Sequence, residues 1–375
     1  MSKTRKIRIV CGVGARPNFV KIAPILRSLK RYSRLATRLV HTGQHYDRVM
    51  SEAFFEDLGI APPDVFLGVG SGSHGLQTGK IMEKFEEFLL ADPPELVLVV
   101  GDVNSTLACA LAAVKLHIPV AHVEAGLRSY NREMPEEINR VLTDQISDFL
   151  FTTSRGAGEN LLREGVDEKK IFFVGNTMID SLRKSLPRAE RRSRFLRELE
   201  LAPGSYALLT LHRPEVVDSK ERLEKALKAL EGAAELLPVV YPVHPRTRKR
   251  FSELGLEKRF RGLSNLILSP PLGYLDFLHL MIRSRMVLTD SGGIQEETTV
   301  LGVPCLTLRE ETERPVTVEK GTNIVVGLDR GKIRRETEKI LGGKGKKGKI
   351  PELWDGKAAS RIARILSERL SKNSK

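Results

Sequence analysis

Met286-Val287-Leu288-Thr289-Asp290-Ser291-Gly292-Gly293-Ile294-Gln295-Glu296-Glu297 is the stretch whose reading decides the fold. A short apolar run enters Ser-Gly-Gly and then a helical pattern, which reads as a buried strand, a tight turn and a helix. Strand followed by helix is the repeating unit of parallel α/β layers. Ser291 is placed to cap the helix. Gly292 and Gly293 let a ligand approach the backbone, and free N–H groups with the helix dipole favour a diphosphate there. Glu296 or Glu297 is placed to accept two hydrogen bonds from a ribose. The competing reading is a capped helix with dipole-matched acids. Arg314-Pro315 follows the next strand, Cys305–Leu308, and its cation tilts the balance to phosphate.

Outward from this segment the alternation continues in both directions. The second half reads as strands at Ala207–Leu211, Val239–Val243, Leu266–Leu268, Val287–Thr289, Cys305–Leu308 and Ile324–Val326. The first half repeats the scheme at Ile7–Cys11, Thr37–His41, Leu96–Val100, Val120–Val123, Phe149–Thr152 and Ile171–Val174. Helical periodicity lies between them at Pro17–Leu29, Leu76–Leu89, Ser105–Lys115 and Glu136–Ser147. The expected class is therefore α/β, with two Rossmann-like parallel-sheet domains and a cleft between them. The expected domains are 1–180 and 204–350, joined by a polar linker at Ser181–Pro203. A final helix, 356–370, is expected to pack back on the first domain. A length of 375 residues agrees with two domains.

Bulk composition excludes several classes. No apolar run approaches the roughly 20 residues of a membrane helix, and the basic Met1–Arg5 is not followed by a signal-peptide core. Cytoplasm is the expected compartment. Cys11, Cys109 and Cys305 stand singly in apolar stretches and read as buried reduced thiols. The net charge of +14 lies mainly on solvated helix faces and on a basic segment, Gly342–Lys349, expected to be disordered. The aromatics fall in core patterns rather than among the basic residues, so nucleic acid is not the expected partner. The positive field suits an anionic small ligand.

Two glycine loops fail as nucleotide fingerprints. Cys11-Gly12-Val13-Gly14-Ala15-Arg16-Pro17 has Pro17 at the third glycine position, and His41-Thr42-Gly43 lacks the acid that NAD binding needs. It remains a turn into a helix that presents Arg16, with Lys21 a turn further on, to an anion. Gly70-Ser71-Gly72-Ser73-His74-Gly75-Leu76-Gln77-Thr78-Gly79-Lys80 lacks the P-loop spacing and reads as a mobile loop.

Ligand sites in open parallel sheets lie at the carboxyl ends of the strands. Asp102 follows one strand, Glu124 ends the next, and Glu136 lies in the first turn of a Pro-started helix. Carboxylates at neighbouring strand ends are expected to repel, which separates their pKa values into a donor and an acceptor. Thr210-Leu211-His212-Arg213 brings a histidine to the first strand end of the second domain. Among the other histidines, His122 and His244 stand out as more than structural. No metal-ligand spacing is present in the sequence.

Taken together these residues resemble the non-hydrolysing UDP-N-acetylglucosamine 2-epimerases, of the glycosyltransferase-B type fold. The resemblance runs from Gly14 to about Gly327. It rests on Gly14-Ala15-Arg16-Pro17 with Lys21, Thr42-Gly43-Gln44-His45, Gly101-Asp102, His122 through Arg128, Pro135 through Arg140, His212-Arg213, Thr289 through Glu297 and Glu313-Arg314-Pro315. It implies an isomerase that interconverts UDP-GlcNAc and UDP-ManNAc through a 2-acetamidoglucal, without NAD or metal, as a homodimer serving polysaccharide biosynthesis. By the match, Asp102, Glu124 and Glu136 are acid–base candidates, supported by Arg140 and His212. Arg16, Lys21, His244, Phe277, Ser291, Gly292, Gly293, Glu297 and Arg314 are implied at the UDP. Gln44 and His45 fall where bacterial members bind a second, activating UDP-GlcNAc. Which carboxylate serves which face of C2 stays open. An epimerase for a modified sugar such as UDP-2,3-diacetamido-glucuronate, and a UDP-GlcNAc transferase of the same architecture, are the alternatives.

Three positions depart from the family pattern. Asn18 stands where many members have Glu, Pro214 replaces the second Arg of His-Arg-Arg-Glu, and Leu272 replaces a Gln near the uracil. Pro214 leads to the expectation that allosteric activation is lost. Initial rates should then rise hyperbolically with UDP-GlcNAc, and UDP-ManNAc should turn over without added UDP-GlcNAc. A sigmoidal curve, or a strict requirement for UDP-GlcNAc, would count against it.

Overall fold

The computed structural model describes residues 6–44, 55–243 and 245–372. The chain divides into two compact units, one of residues 1–183 with 352–375, the other of residues 184–351. Each is built on its own all-parallel sheet.

In the first unit the strands are β1 (Ile7–Val13), β2 (Leu35–His41), β3 (Val65–Phe66), β4 (Leu96–Val100), β5 (Val120–Ala125), β6 (Phe149–Thr152) and β7 (Ile171–Phe173). Their spatial order is β3-β2-β1-β4-β5-β6-β7. β4 is buried along its whole length, as a central strand covered on both faces must be. Its principal helices are α1 (Arg16–Leu29), α2 (His74–Ala91), α3 (Asn104–Lys115), α4 (Pro135–Ile146), α5 (Arg155–Arg163) and α6 (Thr177–Arg192). Chain order reverses between β1 and β4, the switch point where such sheets open a crevice.

The second unit repeats this order as β10-β9-β8-β11-β12-β13. Its strands are β8 (Ala207–Thr210), β9 (Val239–Pro242), β10 (Leu266–Ser269), β11 (Met286–Thr289), β12 (Cys305–Thr307) and β13 (Asn323–Val325). Its longer helices are α7 (Lys220–Ala234), α8 (Tyr274–Arg283), α9 (Gly292–Leu301) and α10 (Arg330–Leu341). The last helix, α11 (Ala358–Lys372), belongs to the first unit and packs on α1. These are the two parallel-sheet α/β folds expected from the strand–helix alternation.

Three local expectations are corrected. Ser181–Pro203 is largely helical: α6 continues to Arg192 and a short turn covers Phe195–Glu198, so the division between units falls inside a helix. Pro187 lies within α6 without ending it. The Gly70–Lys80 segment is helical from His74, and Gln77 ties its start to the carbonyls of Gly70 (2.8 Å) and Gln44 (3.3 Å). Gly342–Lys349 is a pinned strap rather than a disordered loop. Lys346 Nζ donates to the carbonyls of Val318 and Asn323, and Lys349 N to that of Lys320. Gly348 lies so close to Gly321 that a Cβ there would come within 2.5 Å of its carbonyl carbon. Lysine charge is thus spent on the open edge of β13. The three cysteines are free and buried, and burial pushes the thiols of Cys11 and Cys305 up to about 12. Among the described residues no helix is long and apolar enough to cross a membrane.

Asp180 on α6 fastens α11. Its carboxylate accepts from the N–H groups of Ala358 (3.1 Å) and Ala359 (2.8 Å), two of the donors a helix start leaves unsatisfied. Trp354, fully buried just before, donates to Thr153 O at 2.8 Å. Asp180→Ala should therefore lower unfolding free energy by about 1–3 kcal/mol, the usual cost of stranding buried donors, as read by chemical denaturation.

Candidate active site

Backbone geometry builds the first cluster. β4 and β5 pair Val100 with Val123, so the residues that follow, Asp102 and Glu124, emerge from neighbouring strand ends. Gly101 between them has a φ of +70°, and a Cβ there would lie 2.8 Å from Lys21 Nζ. Only glycine lets Lys21 pass over this turn to reach Glu124 Oε2 at 2.7 Å. Both partners of that ion pair are buried. Lys21, expected at the nucleotide, is here the countercharge of Glu124.

Asp102 has its own cation. Arg140 Nη1 stands 2.6 Å from Asp102 Oδ2, and the preceding Asn139 donates to the Asp102 carbonyl at 2.9 Å. Consecutive residues of α4 therefore hold the backbone and the side chain of one acid. Arg140 is buried and is itself oriented by Glu137, whose Oε2 takes its Nε (3.1 Å) and Nη2 (2.6 Å). Burial alone would raise the Glu137 pKa, but the N–H groups of Ser129 and Tyr130 and the Arg140 charge outweigh it and hold it low. Glu136, one residue earlier, is half-buried. The expected mutual repulsion of Asp102 and Glu124 is corrected: each carboxylate is neutralised by a separate partner.

Arg16 opens α1 at the end of β1 and is exposed. Asn18 explains the turn before it. Its Oδ1 accepts from Gly14 N (3.2 Å) and Ala15 N (3.0 Å), while its Nδ2 donates to Val100 O (2.9 Å). An amide can do both; an ionised Glu could not make the last bond. Gln44 is likewise engaged, its Oε1 accepting from Ser105 N (3.0 Å) and Ser105 Oγ (2.7 Å) at the start of α3. His45 and His244 lie outside the described residues. His122 is buried within the first unit rather than lining an open surface.

The second cluster collects at the ends of β8 and β11. Asp290, fully buried, accepts from the N–H groups of His212 (2.7 Å) and Arg213 (2.8 Å), and its other oxygen lies 3.0 Å from His212 Nδ1. The Asp290 charge, opposed by burial, raises the His212 pKa. Burial would raise Asp290 too, but the His212 charge and the three contacts hold it below the usual carboxylate range. The imidazole is 48% exposed, so it can carry a positive charge to a ligand.

Ser291 occupies the N-cap position of α9, but its side chain makes no capping hydrogen bond; the reading of Ser291 as a side-chain cap is corrected. Its N–H instead donates to Thr289 Oγ1 at 2.9 Å. A Cβ on Gly292 would stand 2.6 Å from Glu313 Oε1, so the helix start and the 313–314 turn are pressed together. Arg314, buried, reaches Glu296 Oε1 at 2.8 Å. That makes Glu296 the structural partner of Arg314, while Glu297 takes a different contact. Glu297 accepts from Tyr274 OH at 3.0 Å, and burial pushes its pKa up to about 7, with Glu296 adding to the rise. Phe277 is half-buried one turn further along α8. Among the described residues no group of His, Cys, Asp and Glu could hold a metal ion.

The family model for UDP-N-acetylglucosamine 2-epimerase matches residues 27–367. The chain belongs to the UDP-N-acetylglucosamine 2-epimerase family. It is 45% identical over 359 residues to the UDP-N-acetylglucosamine 2-epimerase of Methanocaldococcus jannaschii, covering 95% of this chain and 97% of that one. It is 43% identical to the UDP-2,3-diacetamido-2,3-dideoxy-D-glucuronate 2-epimerase of Pseudomonas aeruginosa, covering 96% and 100%. The crystal structure of the M. jannaschii UDP-GlcNAc 2-epimerase in complex with UDP-GlcNAc and UDP superposes with a TM-score of 0.89 at 44% identity, covering 97% and 99%. The two parallel-sheet units are thus the fold of this epimerase family.

Sequence reasoning missed Asp144 and the roles of Asn18, Glu137, Asn139, Tyr274 and Asp290. Amides and acids on helices look like ordinary surface residues until the partner strand is known. Only the Asp290-Ser291-Gly292 run carried a signal, since an acid directly after a buried strand has no solvent to face.

Glu297 supplies a pH test. Its pKa is raised on folding, so its contribution to stability is present below its unfolded value near 4.5 and is lost as pH rises through about 7. Thermal midpoints should fall between about pH 4.5 and 7, and Glu297→Gln should flatten that part of the slope. An identical slope in the variant would show that Glu297 is ionised throughout.

Proposed function

We propose that this chain catalyses reversible C2 epimerisation of UDP-GlcNAc to UDP-ManNAc. The observation that carries the proposal is the pair of cation-matched carboxylates, Asp102 and Glu124, at neighbouring strand ends of a family member. One acid–base group removes the proton from C2 while the C1–O bond to UDP breaks, its electron pair leaving with the diphosphate. A C1–C2 double bond results, as 2-acetamidoglucal. Return of the UDP oxygen to C1 and of a proton to the opposite face of C2 completes the inversion. Asp102, Glu124 and Glu136 are the proton-carrying candidates, and Arg140 holds Asp102 in place. A carboxylate beside a fixed cation keeps its orientation and its ionised, proton-accepting form.

The second unit supplies the nucleotide end. Arg314, the start of α9 at Ser291, Gly292 and Gly293, and His212, whose pKa is raised by Asp290, are assigned to the leaving diphosphate. Arg16 is assigned to the UDP as well, while Lys21 serves Glu124. Such preorganised charge lowers the barrier because it needs no rearrangement as the bond breaks. Glu297 and Tyr274 suit the ribose, and Phe277 and His244 are assigned to the base and phosphate end. No NAD or metal has a step in this scheme.

A second reading has support of its own, since the P. aeruginosa relative for UDP-2,3-diacetamido-2,3-dideoxy-D-glucuronate is nearly as similar. Turnover of the two nucleotide sugars side by side decides between them. We also assign the chain to the cytoplasm, where nucleotide sugars feed polysaccharide assembly, and to a homodimer. Exposed Leu76, Met82 and Leu90 on α2 and Ile138 and Leu142 on α4 support a self-association face, because α2, α3 and α4 pack side by side.

NMR of UDP-GlcNAc in deuterated water, with no acceptor present, should show the C2 proton exchanging and the ManNAc epimer accumulating. A transferase would leave C2 protonated. Asp102→Asn and Glu124→Gln should each lose roughly a hundredfold or more in turnover while retaining UDP binding by calorimetry. Near-normal turnover would remove that residue from its role.

A further inference from the structure

We propose that the buried His122–Asp144 pair is a positioning device that sets Asp102 and Glu124 relative to each other through the backbone. The inference rests on the acid–base roles assigned above and concerns two residues to which the scheme gives no step.

Glu124 is in an unusual conformation. The register of β5 against β6 shifts between Val123 and Ala125, and Glu124 has a φ of +76°. A non-glycine residue in the left-handed region is strained and persists only where its surroundings over-determine it. Irregularities of this kind re-aim a side chain. Gly126 follows at φ +78°, so close to α5 that a Cβ would lie 2.1 Å from Ala157 O.

The over-determining contacts converge on Asp144 of α4. Gly126 N donates to Asp144 Oδ2 at 3.0 Å, and Asn160 Nδ2 donates to Gly126 O at 2.9 Å. Asp144 Oδ1 lies 2.7 Å from His122 Nδ1, and His122 Nε2 donates to Gly101 O at 2.8 Å. One unbroken chain therefore runs from the backbone just after Glu124 to the carbonyl just before Asp102. Arg128 Nη1 stands 2.7 Å from Asp144 Oδ2 as countercharge and is itself gripped by Glu164. The side chains of His122 and Asp144 have no exposure, so neither touches substrate. Their effect on chemistry must pass through the two turns they join.

The test uses the full chain with Asp144→Ala, Asp144→Asn and His122→Gln. Asparagine keeps an oxygen for Gly126 N–H and Arg128, and its amide can donate to Nδ1 of a neutral His122 whose Nε2–H still meets Gly101. Misplacing a reacting group by about 1 Å can cost ~100-fold, so Asp144→Ala and His122→Gln should lower kcat at least about tenfold with UDP affinity kept within about twofold. Asp144→Asn should recover kcat to within about threefold of the unaltered chain. Equal losses in the Asn and Ala variants, or losses that track the folded fraction by circular dichroism, would assign the pair a merely structural role and overturn the proposal. If Asp144→Ala does not fold, His122→Gln against Asp144→Asn decides by the same criterion. A crystal structure of His122→Gln or Asp144→Ala reads positioning without activity: Glu124 should leave its left-handed φ, and an unmoved Glu124 overturns the inference. Absence of C2 exchange in the unaltered chain would instead count against the epimerase reading.

Discussion

Lys21 crosses Gly101 to meet Glu124, and the ion pair they form at 2.7 Å is buried on both sides. Much of the first unit's local geometry serves that contact. The turn after β4 must carry a glycine, α1 must bring a lysine inward from its second turn, and β5 must end in a bulge that aims Glu124 back at it. Two charges removed from water are stable together only when geometry and hydrogen bonds are both good, and breaking such a pair strands the other charge. Arg140 between Glu137 and Asp102 obeys the same rule one strand away.

The second unit solves the problem with backbone rather than lysine. Asp290 is as buried as Glu124, yet its charge is met by two N–H groups and the edge of an imidazole. The consequence is a histidine biased toward its charged form at the end of β8. Arg314 and Glu296 form a further buried pair beside the start of α9, leaving Glu297 to Tyr274. A desolvated carboxyl with a single hydroxyl donor and an acidic neighbour holds its proton to an unusual pH, whereas one with several donors does not.

The sheets were legible because a parallel strand covered on both faces has no choice but to be apolar throughout. Leu96–Val100 and Phe149–Thr152 have the bounds read from the sequence, and the other long strands differ by one or two residues at their ends. Val65–Phe66 was not legible, since two residues on a sheet edge carry no period. Ser181–Pro203 misled for a different reason. Its charge and prolines look like a linker, but a helix with one face in solvent tolerates both. The Gly342–Lys349 strap misled because lysine was counted as solvated charge, while Lys346 spends its donors on backbone carbonyls of the sheet edge.

Residue type and position along the chain were enough to place acids after β4 and β5, a histidine after β8 and a glycine turn before α9. That much follows because strand ends are where a parallel sheet has room for polar groups, whatever the family. The partners were another matter. Lys21 with Glu124, Arg140 with Asp102, Asp144 with His122 and Tyr274 with Glu297 are separated by 22 to 103 positions. Charge and hydrogen bonding fall off over a few ångströms, so which acid meets which cation is set by how helices lie across strands. Sequence order records only which groups are available; packing in three dimensions chooses the pairs and, through them, the charge each carboxyl carries.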